Sequence, residues 1–223
     1  MASPTHQPRP AAVLFDLDGT LIDSIDLIIR SAHYAFEKCG VAGPSTAEWL
    51  AGVGRPLPAM FRHFAPGGED EVTALIAAYR EFQMANHDAL VHIYGGIPEM
   101  LGALTRLGHP LAIVTSKTVA LAARGLAHTG IDGFFGTIVG MDSCQRHKPD
   151  PEPVLIALER LGYPPNEAWF VGDSVHDMAS GNSAGVATVG ALWGPFGVDD
   201  LAPSNPRHLA HRVEDVLTIV GAA

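Results

Sequence analysis

From Leu111 onward the chain alternates short apolar, β-branched runs with stretches of helical period, and this alternation restricts the fold more than any other feature. Leu111–Thr115, Thr137–Val139, Trp169–Val171 and Thr188–Gly190 read as buried strands; Val119–His128, Glu152–Leu161 and His176–Ala184 read as the helices between them. Strands joined through helices run parallel and cross over right-handedly. The expectation is therefore an α/β fold, a Rossmann-like, doubly wound parallel sheet with helices on both faces. Val13–Phe15, near the start, supplies one more strand.

The segment from Ile22 to His92 breaks this rhythm, with no convincing strand and several helical stretches. Ile25–Cys39 carries apolar residues at Ile25, Ile28, Ile29, Ala32 and Phe36 behind an N-cap at Asp23 or Ser24, and Glu71–Asn86 forms a second helix. A helical block inside an α/β chain predicts an inserted α-helical cap domain over residues 22–93. The core domain then comprises residues 1–21 and 94–223, with hinges at Leu21–Asp23 and Tyr94–Gly96. A length of 223 residues accommodates this arrangement.

Charge and composition exclude several classes. With 24 Asp and Glu against 14 Lys and Arg, a net charge of -10 and no basic run, the chain offers no surface for nucleic acid. Cys39 and Cys144 lie far apart in no CxxC pattern, which argues against structural zinc and a disulfide scaffold and for a reducing, cytoplasmic setting. Met1–Pro10 reads as a frayed tail, and the apolar run after it is too short for a signal peptide. Met178–Val198 contains no charged residue. Gly181, Asn182, Gly185, Gly190, Gly194, Pro195 and Gly197 break it into a helix end, a strand and a loop, so no membrane span is expected.

The first strand runs straight into Asp16-Leu17-Asp18-Gly19-Thr20, at the carboxyl end where parallel sheets bind ligands. A calcium loop from Asp16 needs Gly and Glu where Leu21 and Leu27 stand. An acidic turn capping the next helix remains open on these five residues alone. Three further strand ends bear on the choice. Thr115-Ser116-Lys117 offers a hydroxyl and backbone N–H groups at a helix start, suited to an anion or to simple capping. Lys148 lies between His147 and Pro149, ahead of a helix, and Asp173 and Asp177 follow Gly172 at a strand-to-helix turn. Four carboxylates, a hydroxyl and a lysine gathered at four strand ends fit a hard divalent cation and a phosphoryl group, because crowded like charges are costly without a counter-ion.

Phe15-Asp16-Leu17-Asp18-Gly19-Thr20-Leu21, Thr115, Lys148-Pro149 and Gly172-Asp173-Ser174 with Asp177 resemble, in order and spacing, the four motifs of the haloacid dehalogenase superfamily of phosphohydrolases. The helical insert resembles the type I cap of its phosphoglycolate phosphatase-like subgroup. The resemblance implies Asp16 as a nucleophile forming an aspartyl phosphate, and Asp18 as general acid and then base. It implies Mg²⁺ held by Asp16, the backbone carbonyl of Asp18 and Asp173, with Asp177 in support. Thr115 and Lys148 would bind the transferring phosphoryl group, with Ser116 and Gly19 also on the substrate. The family's dehalogenases lack the second aspartate, so Asp18 implies phosphatase chemistry.

For the substrate, a small phosphorylated metabolite, Gly52-Val53-Gly54-Arg55-Pro56 resembles the family's specificity loop. Arg55 there suits a carboxylate or a second phosphate, or is a solvated residue in a turn. The first expectation is 2-phosphoglycolate, supported by Thr115-Ser116-Lys117 and Trp193-Gly194. The alternative is inorganic pyrophosphate, because Tyr79-Arg80-Glu81-Phe82 and His87-Asp88-Ala89-Leu90-Val91 resemble bacterial pyrophosphatases of the subgroup. A phosphoglucomutase fits less well for want of a cap acid-base residue, and a non-catalytic phosphate sensor has no use for Asp18. The oligomer expected is a monomer or homodimer. His33, His63, His87 and His92 read as surface or packing residues, His176 as solvent-facing, and Trp49, Phe61, Phe64, Tyr79 and Phe82 as cap core.

Overall fold

The structure, a computed structural model, describes residues 9–221, so the tail expected over Met1–Pro10 lies outside it except for Arg9 and Pro10. Arg9 is tethered, its guanidinium 2.7 Å from Glu167 and 3.8 Å above the Tyr163 ring. The elements run in the order β1 (Ala12–Phe15), β2 (Ile22–Asp23), α1 (Ile25–Cys39), α2 (Thr46–Leu50), α3 (Leu57–Phe64), α4 (Glu69–Leu90), β3 (His92–Ile93) and α5 (Ile97–Arg106). There follow β4 (Leu111–Val114), α6 (Val119–His128), β5 (Thr137–Val139), α7 (Glu152–Leu161), β6 (Ala168–Gly172) and α8 (Val175–Ala184). The chain closes with β7 (Ala187–Ala191), α9 (Val198–Leu201), β8 (His208–Ala210) and α10 (Asp215–Gly221).

Six strands form one parallel sheet in the order β5-β4-β1-β6-β7-β8. The central strand β1 is apolar throughout because both of its faces are covered. Val13 and Phe15 pack with Leu101, Leu104, Val171 and Val216 on one face. Ala12 and Leu14 pack with Val114, Val154, Leu158 and Phe170 on the other. The doubly wound α/β architecture is as the alternation of runs predicts.

Helices α1 to α4 bury a third cluster of their own: Ile28, Ala32 and Phe36 from α1, Trp49 from α2, Met60 and Phe61 from α3, and Val72, Leu75 and Tyr79 from α4. Helix α1 follows from its apolar stripe, and Gly40, at φ 67°, ends it by donating to the Glu37 and Phe36 carbonyls. Helix α4 is longer than the expected Glu71–Asn86. Gly68 starts it and Glu69, Asp70 and Glu71 favour its N-terminal dipole. Where no strand was expected, Ile22 and Asp23 pair antiparallel with Ile93 and His92, tying both crossings between helical unit and sheet into one neck. Among the described residues no helix is long and apolar enough to cross a membrane.

Candidate active site

Each reactive side chain stands just beyond the carboxyl end of a sheet strand. Asp16 follows β1, and its N–H donates to Val171 O at 2.9 Å, which locks it beside β6. Lys148, in the loop before α7, reaches back under the sheet ends. Its Nζ lies 2.8 Å from Asp16 Oδ1, 2.6 Å from Asp177 Oδ1 and 3.3 Å from Val114 O. Asp177, on the first turn of α8, accepts at Oδ2 from the Ser174 N–H and hydroxyl at 3.0 and 2.6 Å. Asp173 accepts from Thr20 Oγ1 at 2.8 Å. All four charged groups are at least 95% buried.

The charges do not balance. Oxygens of Asp16, Asp173 and Asp177 lie within 4.8 Å of one another around the single ammonium of Lys148. Burial, then the Asp177 carboxylate, lifts the Asp16 carboxyl to about 7 although Lys148 pulls the other way. Burial, then Asp177 and Asp16, holds Asp173 well above the carboxylate range. Burial opposes the charge of Lys148, yet Asp16 and Asp177 outweigh it and keep its pKa above that of ordinary lysine. Three carboxylates with one ammonium are short of two positive charges, and a hard divalent cation with oxygen ligands fits that deficit.

Two glycines shape this floor. A Cβ on Gly19, at φ 80°, would come to 2.8 Å from Asp173 Cγ, and one on Gly194 would come to 2.8 Å from Asp173 Cβ. Trp193 Nε1 donates to Thr20 O at 2.8 Å, so the Trp193-Gly194 pair braces the loop after β1. Thr115 is buried beside Asp16 in the cavity lining, and its hydroxyl accepts from Lys117 N–H at 3.2 Å. The N-cap of the following helix is Thr118. Thr115 is thereby left facing the cavity.

Asp18 is in the same cavity, outside the three-carboxylate cluster. Ser24 donates its hydroxyl to Asp18, and Lys117 pairs with the same oxygen. Ser24 is the residue preceding α1 but makes no side-chain cap there, its hydroxyl being spent on Asp18. One sequence expectation changes, that for His176, and Ser116 gains a contact. The Ser116 hydroxyl donates to the Gly54 carbonyl at 2.5 Å, so it fastens the 52–56 loop and is engaged with the chain itself. His176 is half-buried and faces that loop, a Cβ on Gly54 lying 3.3 Å from its ring. Burial lowers its pKa. Tertiary contact with the helical unit, invisible in local sequence, decides both.

The helical unit closes the cavity from above with Ile28, Trp49, Val53, Leu57 and Met60, and with Arg55, Tyr79, Arg80 and Gln83. Arg55 is exposed at the rim. The free space is about 80 Å³, room for roughly half a dozen waters or a small anion. Lys117, Arg80 and Gln83 were given no role from sequence. Arg80 and Gln83 lie three apart on α4, a spacing that puts them on one face; that periodicity and the resemblance of the Tyr79–Phe82 stretch were the signals available to find them. Among the described residues this wall has no carboxylate or histidine.

Comparison with known proteins follows the same lines. A model of the haloacid dehalogenase-like hydrolase family matches residues 13–191. Pyrophosphatase PpaX of Bacillus velezensis is 38% identical over 213 residues, covering 96% of this chain and 97% of its own. The PpaX of Bacillus pumilus is 40% identical over 210 residues, covering 94% and 96%. Among solved structures, a predicted phosphoglycolate phosphatase from Haemophilus somnus superposes with a TM-score of 0.86 at 27% identity, covering 94% of this chain and 97% of its own. A haloacid dehalogenase-like hydrolase from Streptococcus pneumoniae gives 0.81 at 28%, covering 94% and 98%.

Proposed function

The chain belongs to the haloacid dehalogenase-like hydrolase family, as an enzyme of the phosphatase kind, and from that premise we propose that it hydrolyses inorganic pyrophosphate. The observation that carries the reading is similarity to pyrophosphatases at 38–40% identity along nearly the whole chain. This reverses the order expected from sequence, where 2-phosphoglycolate came first. Support for that ester rests on a structural neighbour at 27% identity.

In this reading Asp16 attacks phosphorus with the oxygen that Lys148 leaves free. The P–O bond to Asp16 forms as the bridging bond breaks, and Asp18 gives its proton to the departing phosphate. Asp18 then takes a proton from the water that attacks the aspartyl phosphate, which releases the second phosphate and restores Asp16. Lys148 and Thr115 hold the non-bridging oxygens, where charge spreads in the transition state. Asp16 and Asp173, with the Asp18 backbone carbonyl and support from Asp177, would hold Mg²⁺, which when bound offsets the excess carboxylate charge and polarises the phosphoryl group. Residues 22–93 act as a cap, with Ser116 holding its Gly54 loop down and so excluding bulk water.

The test is phosphate release from pyrophosphate, 2-phosphoglycolate, sugar phosphates and nucleoside monophosphates, with Mg²⁺ and with chelator. The highest kcat/KM is expected for pyrophosphate and is lost with chelator. A higher value for any other substrate overturns the assignment.

A further inference from the structure

The cations on the floor of the cavity are ion-paired within the protein. Lys148 is shared by Asp16 and Asp177, and Lys117 is held by Asp18. The upper wall is different. Arg80 lines the cavity and, among the described residues, is in no ion pair. Gln83, one turn further along α4, is 4% exposed and lines the same space, and its amide bonds no protein group among the described residues. The Trp49 indole N–H, in that wall too, is buried without a partner. Buried donors are nearly always satisfied, and each one left unmade is costly. The unpartnered Gln83 amide and the Arg80 guanidinium beside it, on one wall of one cavity, mark the place of an absent acceptor. Ile28, Val53, Leu57 and Met60 around them lower the local dielectric, which strengthens a guanidinium–anion contact.

We propose that Arg80 and Gln83 form a subsite for negative charge on the leaving group, so that the chain selects substrates whose departing half is itself an anion. The inference rests on the phosphohydrolase reading and extends it to residues with no assigned role. A second phosphoryl group or a carboxylate at this distance from Asp16 receives the guanidinium fork and the amide. A neutral alcohol leaves both unpaired when the cavity is closed, which is the stronger basis of discrimination.

The experiment compares kcat/KM for pyrophosphate, 2-phosphoglycolate and 2-hydroxyethyl phosphate, the last a near-isostere of the second without its carboxylate charge. In Arg80→Met the loss for the two substrates with charged leaving groups should exceed the loss for hydroxyethyl phosphate by about 10- to 100-fold, the worth of one charge-assisted hydrogen bond. Gln83→Glu, which sets a like charge in the subsite, should discriminate in the same direction. Arg80→Lys should fall between wild type and Met, and it preserves the test if Met does not fold. Calorimetric binding of 2-phosphoglycolate and hydroxyethyl phosphate to Asp16→Asn, with and without Arg80→Met, reads the same ratio without turnover. Losses that agree within about three-fold across the three substrates, in both Arg80→Met and Gln83→Glu, overturn the subsite. That outcome is separate from failure of the pyrophosphate assignment, which wild-type preference alone decides.

Discussion

The floor and the upper wall of the cavity are built on opposite terms. On the floor every charged group is buried and engaged: Lys148 with two carboxylates, Asp177 with Ser174, Asp173 with Thr20. On the wall Arg80, Gln83 and the Trp49 N–H have no protein partner among the described residues. A satisfied network is rigid and pre-organised for one reaction, whereas an unsatisfied one waits for a ligand to complete it. Engaged charges and unpartnered donors therefore sit on different scaffolds, a parallel sheet below and a helix face above.

The sharpest way to break this contrast is Asp16→Asn. It should lower phosphate release by at least about a thousand-fold while leaving the thermal transition in place, because the nucleophile is lost and the packing is not. Residual activity of more than a few per cent rejects the role given to Asp16. Next is Lys148→Met, which leaves three buried carboxylates with no ammonium among them. Urea unfolding in chelator should show destabilisation by about 3 kcal/mol, and a change under about 1 kcal/mol would mean that the floor is not held by that pair.

In the proposed reading, metal and proton compete for the same floor. In the metal-free protein Asp16 and Asp173 have raised pKa values, so the folded state binds protons that the unfolded chain has released. Stability then falls as pH rises from the ordinary carboxylate value of 3.8 toward about 7, and a bound cation removes that penalty. The gain in Tm on adding Mg²⁺ should be larger at pH 8 than at pH 5.5. Equal gains at the two pH values would place the ion elsewhere. The smallest effect belongs to the clasp between floor and wall. Ser116→Ala should raise KM a few-fold with kcat nearly kept, since one hydrogen bond to the Gly54 carbonyl is worth about 1 kcal/mol. An equal fall in kcat would give Ser116 a part in the reaction.

The same division governs what the sequence made legible. Helices α1, α6 and α7 and strand β5 have the bounds read from periodicity, and the four strand-end motifs meet around Asp16 because parallel topology brings carboxyl ends together. Strand β8 was not drawn, since His208-Leu209-Ala210 is short and half polar, and the neck of β2 and β3 has two residues a side, too few for a pattern. His176 was misplaced because it answers to a loop more than a hundred residues away. Arg80 and Gln83 look like any solvated positions on a long helix until its neighbours are in place.

Strand β1 also sets an order in time. Strand β1 pairs with β4 and β6, both later in the chain, so the strand that leads into Asp16 emerges from the ribosome with both edges open while the helical unit is completed behind it. Chains stalled after Arg106 should show α1 to α4 resistant to protease and β1 cut; protection of β1 at that length would refute the order. An all-apolar strand with two open edges is a hazard for aggregation during synthesis. The helical unit is thus the first part of the chain able to complete its own core, and the sheet can close only when the later strands have been made.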